Sequence, residues 1–201
     1  MSNPTLSILL PSIPERAEQF GVLMTELLRQ TESYDVELLP YVTSRRAEGG
    51  PIIGAKRQKL IEDARGQWSV FVDDDDWIAP DYVRSIMEAL EANPDAVGFL
   101  ERVEGMGTGV MRSVWSNRYP KWMEGKEAAR EGFDFVRTTF HKTPLRTSIA
   151  LQVGFNTTMG FGEDHDFSKR LKHAGLVTSE VFIEKELYTY RFKYEKHTTK
   201  Y

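Results

Sequence analysis

Four consecutive aspartates, Asp73 to Asp76, follow directly on the apolar run Trp68-Ser69-Val70-Phe71-Val72. Carboxylates this close repel one another and raise each other's pKa unless a cation or a set of donors offsets the charge. A divalent metal is the simplest partner, and hard oxygen ligands suit Mg(II), Mn(II) or Ca(II). The competing structural reading is a solvated acidic turn that caps the next helix. On an extended strand Asp73 and Asp75 share one face, with Asp74 and Asp76 on the other, so a D-x-D pair could hold one metal while its neighbours touch another part of the ligand. An EF-hand is excluded because Trp77 and Ile78 interrupt the required ligand positions, and no Walker A loop is present.

A second acidic segment lies far downstream, at Gly160-Phe161-Gly162-Glu163-Asp164-His165-Asp166-Phe167. Its glycines allow the backbone to approach a ligand, and acids in a first helical turn are favoured by the helix dipole, which is also the plain structural explanation. Taken together, the two segments have a more specific meaning. One carboxylate group with a metal can neutralise a departing diphosphate, and a separate carboxylate can take a proton from an incoming hydroxyl.

The chain that must position these groups has 201 residues, 40% hydrophobic and 28% charged, which fits one folded domain with a sizeable core. A net charge of −4 gives no global footprint for nucleic acid, although Arg45, Arg46, Lys56, Arg57 and Lys59 make a modest local basic cluster. The absence of cysteine excludes disulfides, zinc-thiolate sites and cysteine nucleophiles. No leader-like start and no apolar stretch of about 20 residues is present, so a soluble, cytoplasmic protein is expected.

Leu6 to Leu10 reads as a buried first strand ended by Pro11. Ser12 and Glu15 have capping-box spacing ahead of a helix carrying Phe20, Leu23, Met24, Leu27 and Leu28. A second strand over Val36 to Val42 and a polar loop over Thr43 to Pro51 follow. A second helix with Ile53, Leu60, Ile61 and Ala64 on one side then leads to a third strand at Trp68 to Val72. A helix from about Pro80 and a fourth strand from Ala96 to Val103 complete a strand–helix alternation that implies an α/β fold with parallel pairing. Ligands in such sheets bind beyond the carboxyl ends of the strands, where the aspartates fall. Glu104 to Thr143 reads as hairpin and loop structure that shapes a pocket. Gly105, Gly107 and Gly109 alternate without the following helix that a dinucleotide fingerprint needs. Phe161 to Ala174 reads as a helix stopped by Gly175, and Val177 to Ile183 and Leu187 to Tyr194 as two late strands.

Gly54-Ala55-Lys56-Arg57-Gln58-Lys59-Leu60, Ala64-Arg65-Gly66, Phe71 to Asp76 with Pro80, and Gly162 to Phe167 with Arg170-Leu171 and Gly175 occur in an order and spacing that resemble family 2 glycosyltransferases. The resemblance spans roughly residues 5 to 190. It implies a GT-A fold, with a Rossmann-like, mostly parallel central sheet flanked by helices and a smaller antiparallel acceptor-side portion. It also implies one domain over 1–201, with a nucleotide-sugar half at about 1–103 and an acceptor half at about 104–201. The implied activity is inverting transfer from a nucleotide-diphosphate sugar, a UDP-sugar first, with Mn(II) or Mg(II) as cofactor. Asp75 then resembles the direct metal ligand, with Asp73 or Asp74 reaching the ribose or a metal-bound water. Asp164 resembles the catalytic base, and Glu163 would orient the acceptor or the base. Pro11, Glu15, Lys56 and Arg57 fall where nucleotide contacts are expected, with Gln58 in place of the family's more usual asparagine. His197 resembles a late histidine that some GT-A enzymes supply as a further metal ligand, against a basic C-terminal tail as the plain alternative.

Around this core, His141 could approach the acceptor or diphosphate, and His165 could tune the base beside it. Trp115, Tyr119 and Trp122 could stack against a sugar acceptor or simply pack in the core. The acceptor itself is open among a glycan, a lipid-linked sugar and a hydroxymethylated DNA base. Two other classes compete with this reading. A nucleotidyltransferase would want a glycine-rich N-terminal loop, which Pro11 to Arg16 lacks, and a decayed nucleotide-sugar-binding module would bind without turnover.

Overall fold

The computed structural model of the chain describes residues 3–44, 48–105 and 109–191. Arg45, Arg46, Gly107 and His197, each singled out above, lie outside the described residues. Among the described residues ten strands form one sheet. Strand β1 (Leu6–Ser12) pairs in parallel with β2 (Val36–Val42) on one side and β3 (Trp68–Phe71) on the other. Flanked on both edges, β1 is buried along its whole length, which is why its sequence is a continuous apolar run rather than an alternation.

The helices α1 (Ala17–Thr31) and α2 (Ile53–Asp63) connect these parallel strands, and α3 (Tyr82–Leu90) follows β3 on the way to the next long strand. The expected capping box is not formed. Ser12 is still the last residue of β1, a one-turn 3-10 helix at Pro14–Arg16 precedes α1, and the Ser12 hydroxyl is engaged elsewhere.

Beyond β3 the sheet continues through the short β9 (Leu145–Arg146), antiparallel to both β3 and β5 (Ala96–Glu104), so that β3 and β5 run in the same direction. The segment after β5 is a hairpin with β6 (Met111–Trp115), followed by β7 (Met123–Glu124), the short helix α4 (Gly125–Arg130) and β8 (Phe135–Arg137). It has a small core of its own around Leu100, Val114, Met123 and Val136. Helix α5 (Thr147–Val153) and helix α6 (Glu163–Ala174) return the chain to the sheet, with Gly162 at φ 74 before α6 and Gly175 at φ 65 ending it. Gly175 therefore stops the helix in the left-handed conformation the sequence suggested.

The two expected late strands are one, β10 (Glu180–Arg191), parallel to β5 and antiparallel to the two-residue β4 (Trp77–Ile78). The charged interruption at Glu184–Glu186 is a pair of register shifts within that strand, not a break in it. Among the described residues no helix is long and apolar enough to cross a membrane.

One glycine fixes how α2 meets the segment leading to α6. The Gly54 N–H donates to the carbonyl of Met159 at 3.2 Å, and a Cβ at position 54 would run into the Asn156 carbonyl and lie 2.8 Å from that of Met159. Backbone atoms on both sides cannot yield as a flexible side chain would. Gly54→Ala is therefore expected to cost about 1–3 kcal/mol, seen as a lower urea midpoint with an unchanged m-value.

Candidate active site

The aspartates do not extend β3. They form a turn directly after it, closed by the Asp76 N–H donating to the Asp73 carbonyl at 3.2 Å. The alternation of faces expected for an extended strand is therefore replaced by four different directions, and each carboxylate meets a different part of the protein. Asp74 is buried and accepts from the Ser12 hydroxyl at 2.7 Å and from Arg16 Nη1 at 2.6 Å. Asp76 is buried and accepts from Lys142 Nζ at 2.7 Å, the Tyr188 hydroxyl at 2.8 Å and the Arg191 N–H at 3.1 Å. Asp73 faces Lys142 Nζ at 3.0 Å and Arg57 Nη2 at 3.2 Å, while its own N–H donates to the Tyr188 hydroxyl. Burial alone would push the Asp73 carboxyl up, but Lys142 and then Arg57 outweigh it and hold it well below the usual carboxylate range.

Asp75 differs from the other three. It is half-exposed and reaches Arg16 Nη1 at 3.1 Å. It opens with Asp74, Asp76, Trp77 and Arg191 into a cleft of about 240 Å³ against α1. Burial raises its pKa; Arg16 opposes this, and the neighbouring charges of Asp73 and Asp74 add to it. Among the described residues no three acidic or histidine side chains gather to cage a metal by themselves. The set nevertheless fits Mg(II) or Mn(II) in the way these ions commonly bind, through one or two carboxylates with substrate phosphates completing the shell, and Asp75 is the carboxylate available for it.

Arg57 joins the two acidic segments. It projects inward from α2 and is fully buried. It places Nε 3.0 Å from Glu163 Oε1, across 106 residues of sequence, while Nη2 reaches Asp73 and the guanidinium lies 5.1 Å from the Phe71 ring centroid. Burial pushes the Glu163 carboxyl up and Arg57 pulls against it. The neighbouring Asp164 stays half-exposed at the start of α6, its Oδ1 accepting from the His165 N–H at 2.7 Å. The buried Glu163 therefore serves as an anchor, and the open Asp164 is the carboxylate that can receive a proton from outside.

His141 lies between these groups. Its Nε2 is 3.9 Å from Asp73 Oδ2, and neither ring nitrogen has a hydrogen-bond partner among the described residues. Burial, with Arg57 beside it, pulls its pKa down to about 4, so near neutrality the ring is uncharged and can both donate and accept.

Several expectations need correction. Trp115 cannot stack on an acceptor. It is 1% exposed, packed against Phe99, Phe140 and Tyr188, with Nε1 donating to Glu101 Oε2 at 3.0 Å. The β5–β6 pairing turns it inward, and Tyr119 is buried as well. Trp122 is half-buried and pairs with the exposed His165 ring at 4.8 Å, so His165 leans on an aromatic rather than on the carboxylate it was expected to tune. Lys56 is buried with Nζ donating to the Thr43 carbonyl at 3.3 Å, and Lys59 is ion-paired with Asp63 at 2.5 Å. With Arg57 also turned inward, these three residues do not form a basic surface. Pro11 is buried inside β1, and Glu15 is exposed on the turn that follows it.

Arg16, Lys142, Tyr188 and Glu101 were not singled out by sequence. A run of buried carboxylates demands cations and hydrogen-bond donors, but nothing local says that they come from the turn after β1, the segment after β8 and β10. Glu101 lies behind Lys142 on β5. Burial pushes its carboxyl up to about 7, with Lys142 opposing. Its folded pKa lies above the ordinary value of 4.5, so its contribution to stability is complete below pH 4.5 and is lost as pH rises through 7. Glu101→Gln should therefore gain about 1–3 kcal/mol relative to wild type on going from pH 5 to pH 8, read from urea unfolding at the two pH values.

The sequence profile of Glycosyl transferase family 2 matches residues 41–153, which includes the aspartate turn and Lys142 but stops before Glu163 and Asp164. EpsH of Bacillus subtilis (strain 168), a provisionally assigned glycosyltransferase, is 44% identical over 45 residues, 22% of this chain and 13% of EpsH. In fold, the chain is similar to S. aureus TarS 1-349 in complex with UDP-GlcNAc, with a TM-score of 0.66 and 13% identity over 100% of this chain and 61% of that one. The same fragment in complex with UDP gives 0.64 at 13% identity, over 96% of this chain and 61% of that one. The longer TarS chain gives 0.63 at 12% identity, over 96% of this chain and 37% of that one. The sheet order and flanking helices are thus those of a GT-A fold, and the chain spans about three-fifths of the TarS fragment and a small part of EpsH. Because the profile runs through more than half of the sequence, and through the turn on which the site is built, the chain belongs to glycosyl transferase family 2.

Proposed function

We propose that this protein transfers a sugar from a nucleotide-diphosphate sugar, a UDP-sugar first, to an acceptor hydroxyl with inversion at the anomeric carbon. The observation that carries the reading is the Arg57 bridge, which ties the aspartate turn to the Glu163–Asp164 pair in one site. The UDP and UDP-GlcNAc complexes of TarS support uridine as the first donor to test. The whole chain acts as one glycosyltransferase domain, with the donor bound mainly by residues 1–103 and the acceptor met by residues 104–201.

A divalent ion, Mn(II) or Mg(II), would be held by Asp75 and the donor phosphates, and when bound it supplies charge to the leaving diphosphate. Arg16, already shared between Asp74 and Asp75, stands where a diphosphate would meet it and adds positive charge to the same face. His141, neutral and without a hydrogen-bond partner among the described residues, offers a donor and an acceptor to a sugar hydroxyl. Asp164 takes the proton of the acceptor hydroxyl as that oxygen attacks, while Arg57 fixes Glu163 so that the base keeps its place. Displacement is direct, and no covalent glycosyl-enzyme is needed.

For the acceptor, Lys56 and Arg57 turn inward and Lys59 is paired with Asp63, so these three residues add little to a charge argument for DNA, and a glycan or lipid-linked sugar is the acceptor class we favour. The exposed Phe161 and the His165–Trp122 pair beside the base provide apolar faces of the kind sugar rings pack against.

Two measurements test the reading. In a thermal-shift titration with UDP, GDP, CDP and dTDP, each with and without Mn(II), UDP with metal should stabilise by roughly 2.7 kcal/mol at about a hundred times its dissociation constant. Stabilisation by none of the four sets the donor class aside. Asp164→Asn should keep that stabilisation yet lose transfer by roughly a hundredfold to ten-thousandfold, whereas Asp75→Asn should lose both; near-normal transfer in the first variant would put the base elsewhere.

A further inference from the structure

Lys142 sits in the segment between β8 and β9 with its ammonium buried. Nζ lies 3.0 Å from Asp73 Oδ2 and 2.7 Å from Asp76 Oδ2. Two aromatic faces close over it, with the Tyr188 and Tyr190 ring centroids 4.8 Å and 5.0 Å away. The Tyr188 hydroxyl donates to the same Asp76 oxygen, so the lysine has little room to leave. A compact point charge between two carboxylates takes the position that a metal ion would otherwise find attractive.

The geometry points to Lys142 as the fixed internal cation of the aspartate turn: it occupies Asp73 and Asp76, leaves Asp75 as the carboxylate of the turn most open to a divalent ion, and so makes metal binding depend on the donor diphosphate. Without the lysine, Asp73 would keep Arg57 and Asp75 would keep Arg16, but Asp76 would lose its ion-pair partner, and the turn would carry one more net negative charge with which to hold a metal before any nucleotide arrives. With it, a metal meets one carboxylate and must obtain its remaining charge from the substrate. Lys142 is thus a positioning residue that imposes order on ligand binding. Because coupling between two ligands is reciprocal, the same residue sets how strongly metal favours the nucleotide.

This inference rests on the reading of Asp75 as the metal carboxylate, and its test separates the two. Mn(II) binding is measured by the electron paramagnetic resonance signal of the free ion, with and without UDP, in wild type and in Lys142→Met. The wild-type chain should bind Mn(II) much more tightly with UDP than without. The variant should bind Mn(II) alone at least about tenfold tighter than wild type, and the ratio of its Kd values without and with UDP should shrink by a similar factor. A purely structural lysine would not tighten metal binding when removed. To guard against poor folding, the comparison is repeated between Asp76→Asn and Asp76→Asn/Lys142→Met, where the buried pair is removed whole; the same tightening is expected. Equal Mn(II)-alone affinity within both pairs overturns the inference while leaving the glycosyltransferase reading intact. A wild-type chain showing no coupling between Mn(II) and UDP overturns both.

Discussion

Mutual repulsion among four adjacent carboxylates is the constraint around which this fold is arranged. A turn carrying Asp73 to Asp76 at the end of a buried strand could not stay closed in isolation, because each charge raises the cost of the next. The structure answers each carboxylate from a different place: the end of β1 and the turn after it for Asp74, α2 and the β8–β9 segment for Asp73, and β10 with the same segment for Asp76. The turn is therefore a meeting point of distant segments, and the same contacts that quiet its charge hold those segments in register. Asp75 is ion-paired with Arg16 and is the most exposed of the carboxylates that line the cleft.

The buried cations explain an oddity of α2. Its inner face carries Leu60 and Ile61 as an amphipathic helix should, but Lys56 and Arg57 are buried as well. Charged side chains are rarely buried without partners, and a buried ion pair is weak evidence for stability because desolvation offsets most of its attraction. The arrangement makes sense as preorganisation, with groups locked before a ligand arrives so that less ordering is needed when it binds. The stack of Phe155 on Phe167, 4.4 Å apart, and the edge contact of Phe71 with Phe155 place an aromatic layer under Arg57 that limits its movement.

Much of the fold was legible in the sequence because it depends on local regularities. The continuous apolar run of β1, the helical spacing in α1 and α3, and Gly175 at the end of α6 each carry their own signal. The position of the aspartates at the end of β3 was equally plain, since it follows from the boundary between an apolar run and a charged one. What could not be read was set by contacts between distant segments. Ser12 has the type and spacing of a helix cap, yet its hydroxyl is taken by Asp74, 62 residues on. Trp115 has the composition of a sugar platform, yet the pairing of β5 with β6 turns it into the core. Glu184 to Glu186 looks like a break between strands, because a register shift and a loop leave the same charged interruption. Lys142 carries no local mark, as its role exists only once β10 and the aspartate turn lie beside it.

The placement of those partners also bears on how the chain comes into being. Lys142 follows Asp76 by 66 residues and Tyr188 follows it by 112, so on the ribosome the acidic turn emerges well before either. During that interval β1, β2 and β3 can pair and Arg16 and Arg57 are already present, but the turn at their end still lacks Lys142 and Tyr188, and pairing across such separations is slow to form. Among the described residues β10 is the last strand in the chain, and it completes the partners of Asp76. A chain stopped before β10 would present an acidic turn whose Asp76 still lacks the Tyr188 hydroxyl, which ties the charge balance of the turn to completion of the sheet.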